Sequence, residues 1–579
     1  MKSDGWTSKL GVILAVAGSA VGLGNFLKFP GQVAMYGGAA FMIAYVVSFF
    51  MLGLPISICE WTMGRHGGAN GFNSPPGIFG FFARSKKMAY FGLLSVLMTM
   101  IIFCYYIYIE AWCLGYAVNF LFGTLDFSTT QQAGDFFNGF VGAGADGSAM
   151  KFGLGGVLAY FLFSFILNFT LIYRGVSKGI ELFCKYAMPT LVFLAILIVI
   201  RMATLTDISA EHPERTINQG MGFMWNPVKV VLEKNDGGKW VEAQRLVGDI
   251  EIAAAREKVE ASKSAPSAQP ALRIREISVW EQLANPSIWI AAAGQVFFSL
   301  TVGFGAIMTY ASYLKRRDDI VLSSITSCAA NEFCEVCLGG LITVPAAVAF
   351  LGVAGVMGAG LSLFDLGFKV LPMFFSHIAF GQVFGFMFFF LLFLAAVTSS
   401  LSMLQPSMAF IEESVKIRRK FSTLMLGILA FFISGFVVFF SGGLKAMDTF
   451  DFWMGQVAIY IFAVVQICLF SWYFGAERGT RLARIGSQIR LPNFYVPLVK
   501  YITPVFLIAV FILWLAKDVF GILGSGEISP YILDIVGSET HPRNAVAVMA
   551  VVIIGALGIF YAAILSMSNR YDKLGGSKK

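Results

Sequence analysis

AGSAVGLGNFLKFP, residues 17–30, decides the fold of this chain. It is an apolar run interrupted by Gly18, Gly22 and Gly24, with Asn25 and Lys28 beside the interruptions. A second stretch of the same kind, GQVFFSLTVGFGAIMTYASY at residues 294–313, carries Gly303 and Gly305 just after Ser299 and Thr301. A helix crossing a bilayer cannot leave backbone groups unpaired against lipid. Two Gly-interrupted apolar runs in comparable places therefore point to unwound backbone that lines a cavity. The plainer alternative is that these glycines only let helices pack closely. Asn25 and the two hydroxyls beside the breaks favour a binding site.

The chain around them fits that reading. Of its 579 residues 57% are hydrophobic and 13% charged, with 58 Phe and 61 Gly; the mean hydropathy is +0.74. Water is not its main solvent, and the class is polytopic membrane protein. The formal charge of +8 lies in short loops between apolar runs, so it reads as an orientation signal and not as a nucleic-acid surface. Stretches long enough to cross about 30 Å of hydrocarbon fall near 10–36, 39–63, 88–122, 153–172, 179–203, 288–313, 320–349, 378–411, 421–440, 451–474, 493–516 and 544–568. The expectation is an all-α protein of twelve transmembrane helices. Arg65, Arg84, Lys86 and Lys87 charge the first long connection, whereas Asp126, Asp135 and Asp146 outweigh Lys151 in the next. Positive residues stay inside, which puts both termini in the cytoplasm and the protein in the plasma or inner membrane. The N-terminal stretch lacks a signal-peptide cleavage pattern, so the first helix is expected to remain.

One segment departs from the pattern. Residues 204–287 are polar and expected outside the cell, ending in the linker-like SKSAPSAQPA. Its middle, WVEAQRLVGDIEIAAAREKVEASK, has helix-forming composition with Leu246, Ile250 and Ala254 at four-residue spacing, and reads as a solvated surface helix. The eight cysteines lie in or beside apolar runs, so no structural disulfide is expected, and the Cys334, Cys337 pair reads as buried thiols. No HExxH, Walker-type or GxSxG motif is present, so the chain is not expected to be an enzyme. Intramembrane acids are costly, which marks Glu60, Glu110 and Glu335 for attention, the first two as helix caps or helix-to-helix partners. Asn331 in CAANEFCEV and Thr398, Ser399 and Ser400 in LAAVTSSLSML add oxygens to otherwise apolar spans, although such hydroxyls often bond back to their own helix.

These segments, with EWTMGR (60–65), YYIYIEAW (105–112), NEFCEVCLGG (331–340) and TSSLSMLQP (398–406), resemble the signatures of the neurotransmitter:sodium symporter family, especially its bacterial amino-acid members. The resemblance covers all twelve spans. It implies a 5+5 inverted repeat, 10–203 and 288–474, with helices one and six broken and two extra helices at 493–568. All of this lies in one transporter domain, residues 1–573, followed by a cytoplasmic tail at 574–579. The external loop is longer than expected of such relatives by an insert of about residues 228–278.

The resemblance also implies roles. Two sodium ions are the coupling ions, and no other cofactor is expected. The first would take the Ala20 carbonyl, Asn25, Asn331 and Ser299, with the substrate carboxylate. The second would take carbonyls of Gly18, Val21 and Ala395 and hydroxyls of Thr398 and Ser399. The substrate carboxylate would meet the amides of Leu23 and Gly24 and the Tyr106 hydroxyl. Its amino group would meet Ala20, Phe298, Ser299 and Thr301. Ile102, Tyr106, Phe298, Phe304, Ser399, Ser402 and Met403 would surround its side chain. Gly22 stands where amine-transporting relatives carry an acid, which favours a substrate with its own carboxylate. Lys28 and Asp451 would pair as the outer gate, and Trp6, Tyr313 and Glu413 would form the inner one. There Ser3 replaces an expected Arg, and Lys2 is the available substitute. Glu335 would balance the sodium charge without chloride and take up a proton on the return step. The implied function is sodium-coupled, chloride-independent import of a small neutral amino acid by alternating access. An osmolyte or ω-amino-acid transporter and a transport-inactive sensor are the alternatives. The partners implied are substrate and lipid bilayer, with a homodimer open and no nucleic acid.

Overall fold

The structure is a computed structural model that describes residues 5–205, 216–226, 228–236, 238–246, 249–264, 271–358, 363–522, 528–572 and 574. Among these residues, 9 helices are long and apolar enough to cross a membrane: Ala39–Ala69, Lys86–Leu121, Val176–Ala203, Ile320–Gly352, Gly381–Val415, Arg419–Phe439, Gly442–Tyr473, Tyr495–Val519 and Ala545–Met567. The bent pair Lys9–Ala20 and Gly24–Tyr36 brings the number to 10. The other two expected spans, four and six, coincide with shorter apolar helices, Leu158–Tyr173 and Pro286–Leu300. The expected spans are numbered below in chain order.

Span one is broken where its glycines cluster. The helix Lys9–Ala20 ends at Val21, whose backbone is extended (φ −72°, ψ 101°), and the chain resumes at an angle of 47°. Neighbours receive the freed groups. Thr343 of span seven donates to the Phe26 carbonyl at 2.6 Å, and Gly339 lets span seven come close, because a Cβ there would stand 2.0 Å from the Asn25 carbonyl oxygen. Below the break, Ser8 caps the helix by accepting from Gly11 N–H at 2.9 Å. Glu181, at the start of span five, accepts from Thr7 N–H at 2.8 Å and from the Ser8 hydroxyl at 2.9 Å.

Span six breaks in the same manner. Pro286–Leu300 ends at Thr301 with φ 54°, Gly303 and Gly305 both have φ 77°, and helix resumes at Ala306–Ser312. Left-handed backbone costs a β-branched residue of order 1–3 kcal/mol and a glycine almost nothing, so Thr301 carries strain that its surroundings must hold. Its hydroxyl donates to the Ser19 carbonyl of span one at 2.8 Å, and two further contacts hold the turn that follows. Glu60 of span two accepts from Gly303 N–H at 2.8 Å, and Ser95 of span three donates to the Phe304 carbonyl at 2.5 Å. Glu110 accepts from Asn168 at 2.8 Å and Ser400 at 2.7 Å, tying spans three, four and eight together. Both acids thus do the structural work expected of them.

The external segment is the exception to an all-helical chain. It forms an antiparallel sheet in the order β2-β1-β3, with β1 Lys229–Asp236, β2 Lys239–Leu246 and β3 Leu272–Ile277. Helix Asp249–Ser264 packs on it through Ile252, Ala255 and Val259, against Val230, Leu232 and Leu246. The surface helix expected across the whole middle stretch is corrected in its first half. WVEAQRL (240–246) pairs with VVLEKN (230–235), and alternation along β1 puts Val230 and Leu232 on one face. Leu246 belongs to the strand, and Ala255, not Ala254, faces the sheet. Most of the linker-like stretch, residues 265–270, lies outside the described residues.

Candidate functional site

The two breaks face each other and meet a polar cluster supplied by span seven. Asn25 accepts from Gly22 N–H at 2.8 Å and donates to the Asn331 side-chain oxygen at 2.9 Å. Asn331 donates in turn to Ser299 Oγ at 2.6 Å and to Glu335 Oε2 at 3.3 Å. Ser299 donates to the same Glu335 oxygen, as does Tyr45 at 2.8 Å, and Gln295 donates to the other one. Asn25, Ser299, Asn331 and Glu335 are all buried. These donors ring the Glu335 carboxylate, and Tyr45 Oη also lies 2.7 Å from Glu332 Oε2, so its single proton serves two carboxylates of span seven. Sequence reasoning missed two members of this ring. Gln295 had a signal, since it precedes Ser299 by four residues and shares its helix face; Tyr45, on span two, had none.

The residues expected around a second cation also come together, where span one meets span eight. Ser399 Oγ lies 3.4 Å from the Gly18 carbonyl and 3.3 Å from that of Ser19. Thr398 donates to Ala395 O at 2.9 Å and Leu394 O at 3.2 Å, the back-bond common for hydroxyls in a helix. A Cβ on Gly18 would approach Thr398 Cβ to 3.1 Å, so the glycine sets the contact between the two spans. Val21 marks the extended turn beside them.

Between the breaks lies a small cavity lined by Ala20, Gly22, Gly24, Ile102, Tyr106, Phe298, Ser299, Thr301, Phe304, Ser399 and Met403, together with Ser19, Tyr105 and Gly455, which the sequence did not single out. No formally charged side chain is among them. Two expected members stand apart. The Leu23 amide points at the Tyr106 hydroxyl at 3.4 Å, and Ser402 is bonded to Ser19 Oγ and the Ser399 carbonyl, both at 2.7 Å.

Above Tyr106 and Phe298 a vestibule of about 580 Å³ opens, its wall including Lys28 and Asp451. With the vestibule open, Lys28 and Asp451 both face it but are not ion-paired. The Lys28 ammonium sits over the Phe298 ring, 3.9 Å from its centroid. Asp451 instead accepts from Tyr105 at 2.6 Å and Gln456 at 3.2 Å.

At the opposite end, Trp6 donates to the Tyr310 carbonyl at 2.9 Å, and Tyr313 accepts from Gln405 at 2.9 Å. Glu413 accepts from Asn73 and Ser74 N–H at 2.8 and 3.1 Å and from Tyr571 at 3.1 Å, and its ion-pair partner among the described residues is Arg570 at 3.9 Å. Lys2 and Ser3 lie outside the described residues.

A bundle of membrane spans in which two broken helices enclose one buried polar cavity is the architecture of a secondary transporter. The chain belongs to the sodium:neurotransmitter symporter family, whose sequence profile matches residues 3–139 and 266–522, and is a sodium-dependent membrane transporter. It is 26% identical over 537 residues, 91% of this chain and 92% of the other, to an uncharacterized sodium-dependent transporter of Methanocaldococcus jannaschii. A sodium-dependent transporter of Bacillus subtilis is 28% identical over 74% of this chain and 77% of its own. Among solved structures, MhsT in complex with L-phenylalanine superposes with a TM-score of 0.67 at 25% identity, covering 88% of this chain and 99% of that one.

Proposed function

We propose that this protein imports a neutral α-amino acid together with two sodium ions, by alternating access and without chloride, with both termini in the cytoplasm. The observation that carries the reading is the hydrogen-bonded set Asn25, Asn331, Ser299 and Glu335 at the meeting point of both breaks. Side-chain oxygens converge there beside backbone freed by the Gly22 and Thr301 turns, and oxygens suit a hard monovalent cation. A substrate carboxylate held by the Leu23 and Gly24 amides would complete that shell, so cation and substrate each raise the other's affinity by the same factor. Glu335 supplies a fixed negative charge in place of a mobile anion. A desolvated acid left without sodium binds a proton, which would leave with the returning carrier.

The substrate is small or medium, neutral and carboxylate-bearing. The cavity lining carries no formal charge, and a solved relative is bound to L-phenylalanine. Ile102, Phe304 and Met403 would meet an apolar side chain. Uptake into proteoliposomes of a panel of labelled amino acids, ω-amino acids and osmolytes, with and without an inward sodium gradient, tests the reading. Sodium-driven accumulation of neutral α-amino acids in gluconate is expected. Preference for an ω-amino acid would move the substrate class, and binding without accumulation would make the protein a sensor.

A further inference from the structure

On the membrane-facing side, where spans four, five and eight meet, lies a cavity of about 380 Å³ that the transport site does not use. Its floor is apolar, formed by Leu182, Phe183 and Tyr186 of span five and Phe390 and Leu394 of span eight, and its mouth carries Arg174 and Lys178. Leu182 is 47% exposed and Tyr186 68%. Among the described residues neither cation has an acidic partner. The nearest acid in the sequence, Glu181, is already taken by Thr7 and Ser8. That contact also fixes the side of the membrane, because it places the mouth level with the chain that precedes span one, the cytoplasmic end in the orientation proposed above. Arg419, in the basic run KIRRK at residues 416–420, is paired with Glu412 at 3.6 Å and donates to the Ile172 carbonyl at 2.8 Å, bringing that run to the same edge.

We propose that this cavity binds an anionic phospholipid of the cytoplasmic leaflet, with its phosphate between Arg174 and Lys178 and an acyl chain along Leu182, Phe183, Tyr186 and Phe390. Two cations at a leaflet's headgroup level above an apolar slot match such a lipid in both charge and depth, whereas a soluble anion would leave the slot unfilled. The lipid would brace the turn that joins spans four and five, and with it Glu181, which holds the start of span one. It would also back Leu394, whose carbonyl accepts from Thr398.

Binding is read without transport, so it fails or stands independently of the substrate reading. The purified full chain in phosphatidylcholine nanodiscs or mild detergent is titrated with dioleoylphosphatidylglycerol, and bound lipid is counted by native mass spectrometry. The wild type is expected to retain one phosphatidylglycerol in preference to phosphatidylcholine. Arg174→Gln with Lys178→Gln should weaken retention roughly 30-fold, about one factor of five for each cation lost. Leu182→Glu, which puts an acid in the slot at an exposed position, should weaken it as well, and Arg478→Gln, at an exposed cation elsewhere, should leave it unchanged. Equal retention of phosphatidylcholine, wild-type retention by the double variant, or full competition by inorganic phosphate would each overturn the proposal.

Discussion

Glu335→Gln is the sharpest test of charge compensation. The substitution keeps the shape of the side chain and removes its charge. Asn331, the expected cation ligand, lies one helical turn before it, so ion and carboxylate would stand about 6 Å apart. Two unit charges at that distance and an effective dielectric of about 20 attract by about 3 kcal/mol, a factor of roughly one hundred in cation affinity. The new amide also turns a donor toward Gln295 or Tyr45, both of which donate to Glu335 in the native protein. One buried mismatch of this kind costs about 1–3 kcal/mol, mostly in stability. Uptake into proteoliposomes, measured against sodium concentration in gluconate, should therefore show a half-saturating sodium raised by about two orders of magnitude. Glu335→Ser should behave alike in gluconate and recover when chloride is supplied. The reasoning is refuted if the Gln variant saturates within about threefold of the wild-type sodium concentration, or if wild-type uptake collapses without chloride.

Thr398→Val is nearly isosteric but removes the hydroxyl that now bonds to the Leu394 and Ala395 carbonyls, where span eight packs on Gly18. A desolvated cation losing one ligand forfeits several kcal/mol, so sodium-driven uptake should fall more than tenfold, and normal uptake at low sodium would remove Thr398 from the ligand set. Gly22→Asp crowds the cavity, since a Cβ there already stands 3.1 Å from both Ser399 Oγ and the Tyr106 hydroxyl. The added anion repels a carboxylate, so binding of α-amino acids should be lost by equilibrium dialysis while the protein stays monodisperse. Replacing residues 228–278 with a short Gly/Ser bridge should leave the KM for substrate within about twofold, because the sheet and its helix have a small core of their own; lost uptake at normal membrane insertion would give the insert a part in transport. Gly24→Ala should raise the substrate KM, since its Cβ would meet the Phe298 ring at 2.7 Å, and an unchanged KM would show that Phe298 moves freely.

What the sequence determined by itself was whatever depends on near neighbours along the chain. A bilayer demands about 20 apolar residues for each helical crossing, so the spans could be read as runs, and the two places where glycines interrupt such runs are the places where helices one and six unwind. Spacing of four residues likewise put Asn331 and Glu335 on one helix face. The external segment was harder to read. Its middle had helix-forming composition throughout, yet residues 239–246 became a strand, because pairing with 229–236 outweighs a weak local propensity. Tertiary structure alone decided which side chains meet across different spans. That Tyr45 reaches Glu335, that Tyr105 takes Asp451 while Lys28 turns onto Phe298, and that Arg570 arrives at Glu413 all depend on the rotation and depth of helices far apart in sequence. Those are set by packing the whole bundle, and a side chain with several partners of similar strength goes to whichever one the packing brings within reach.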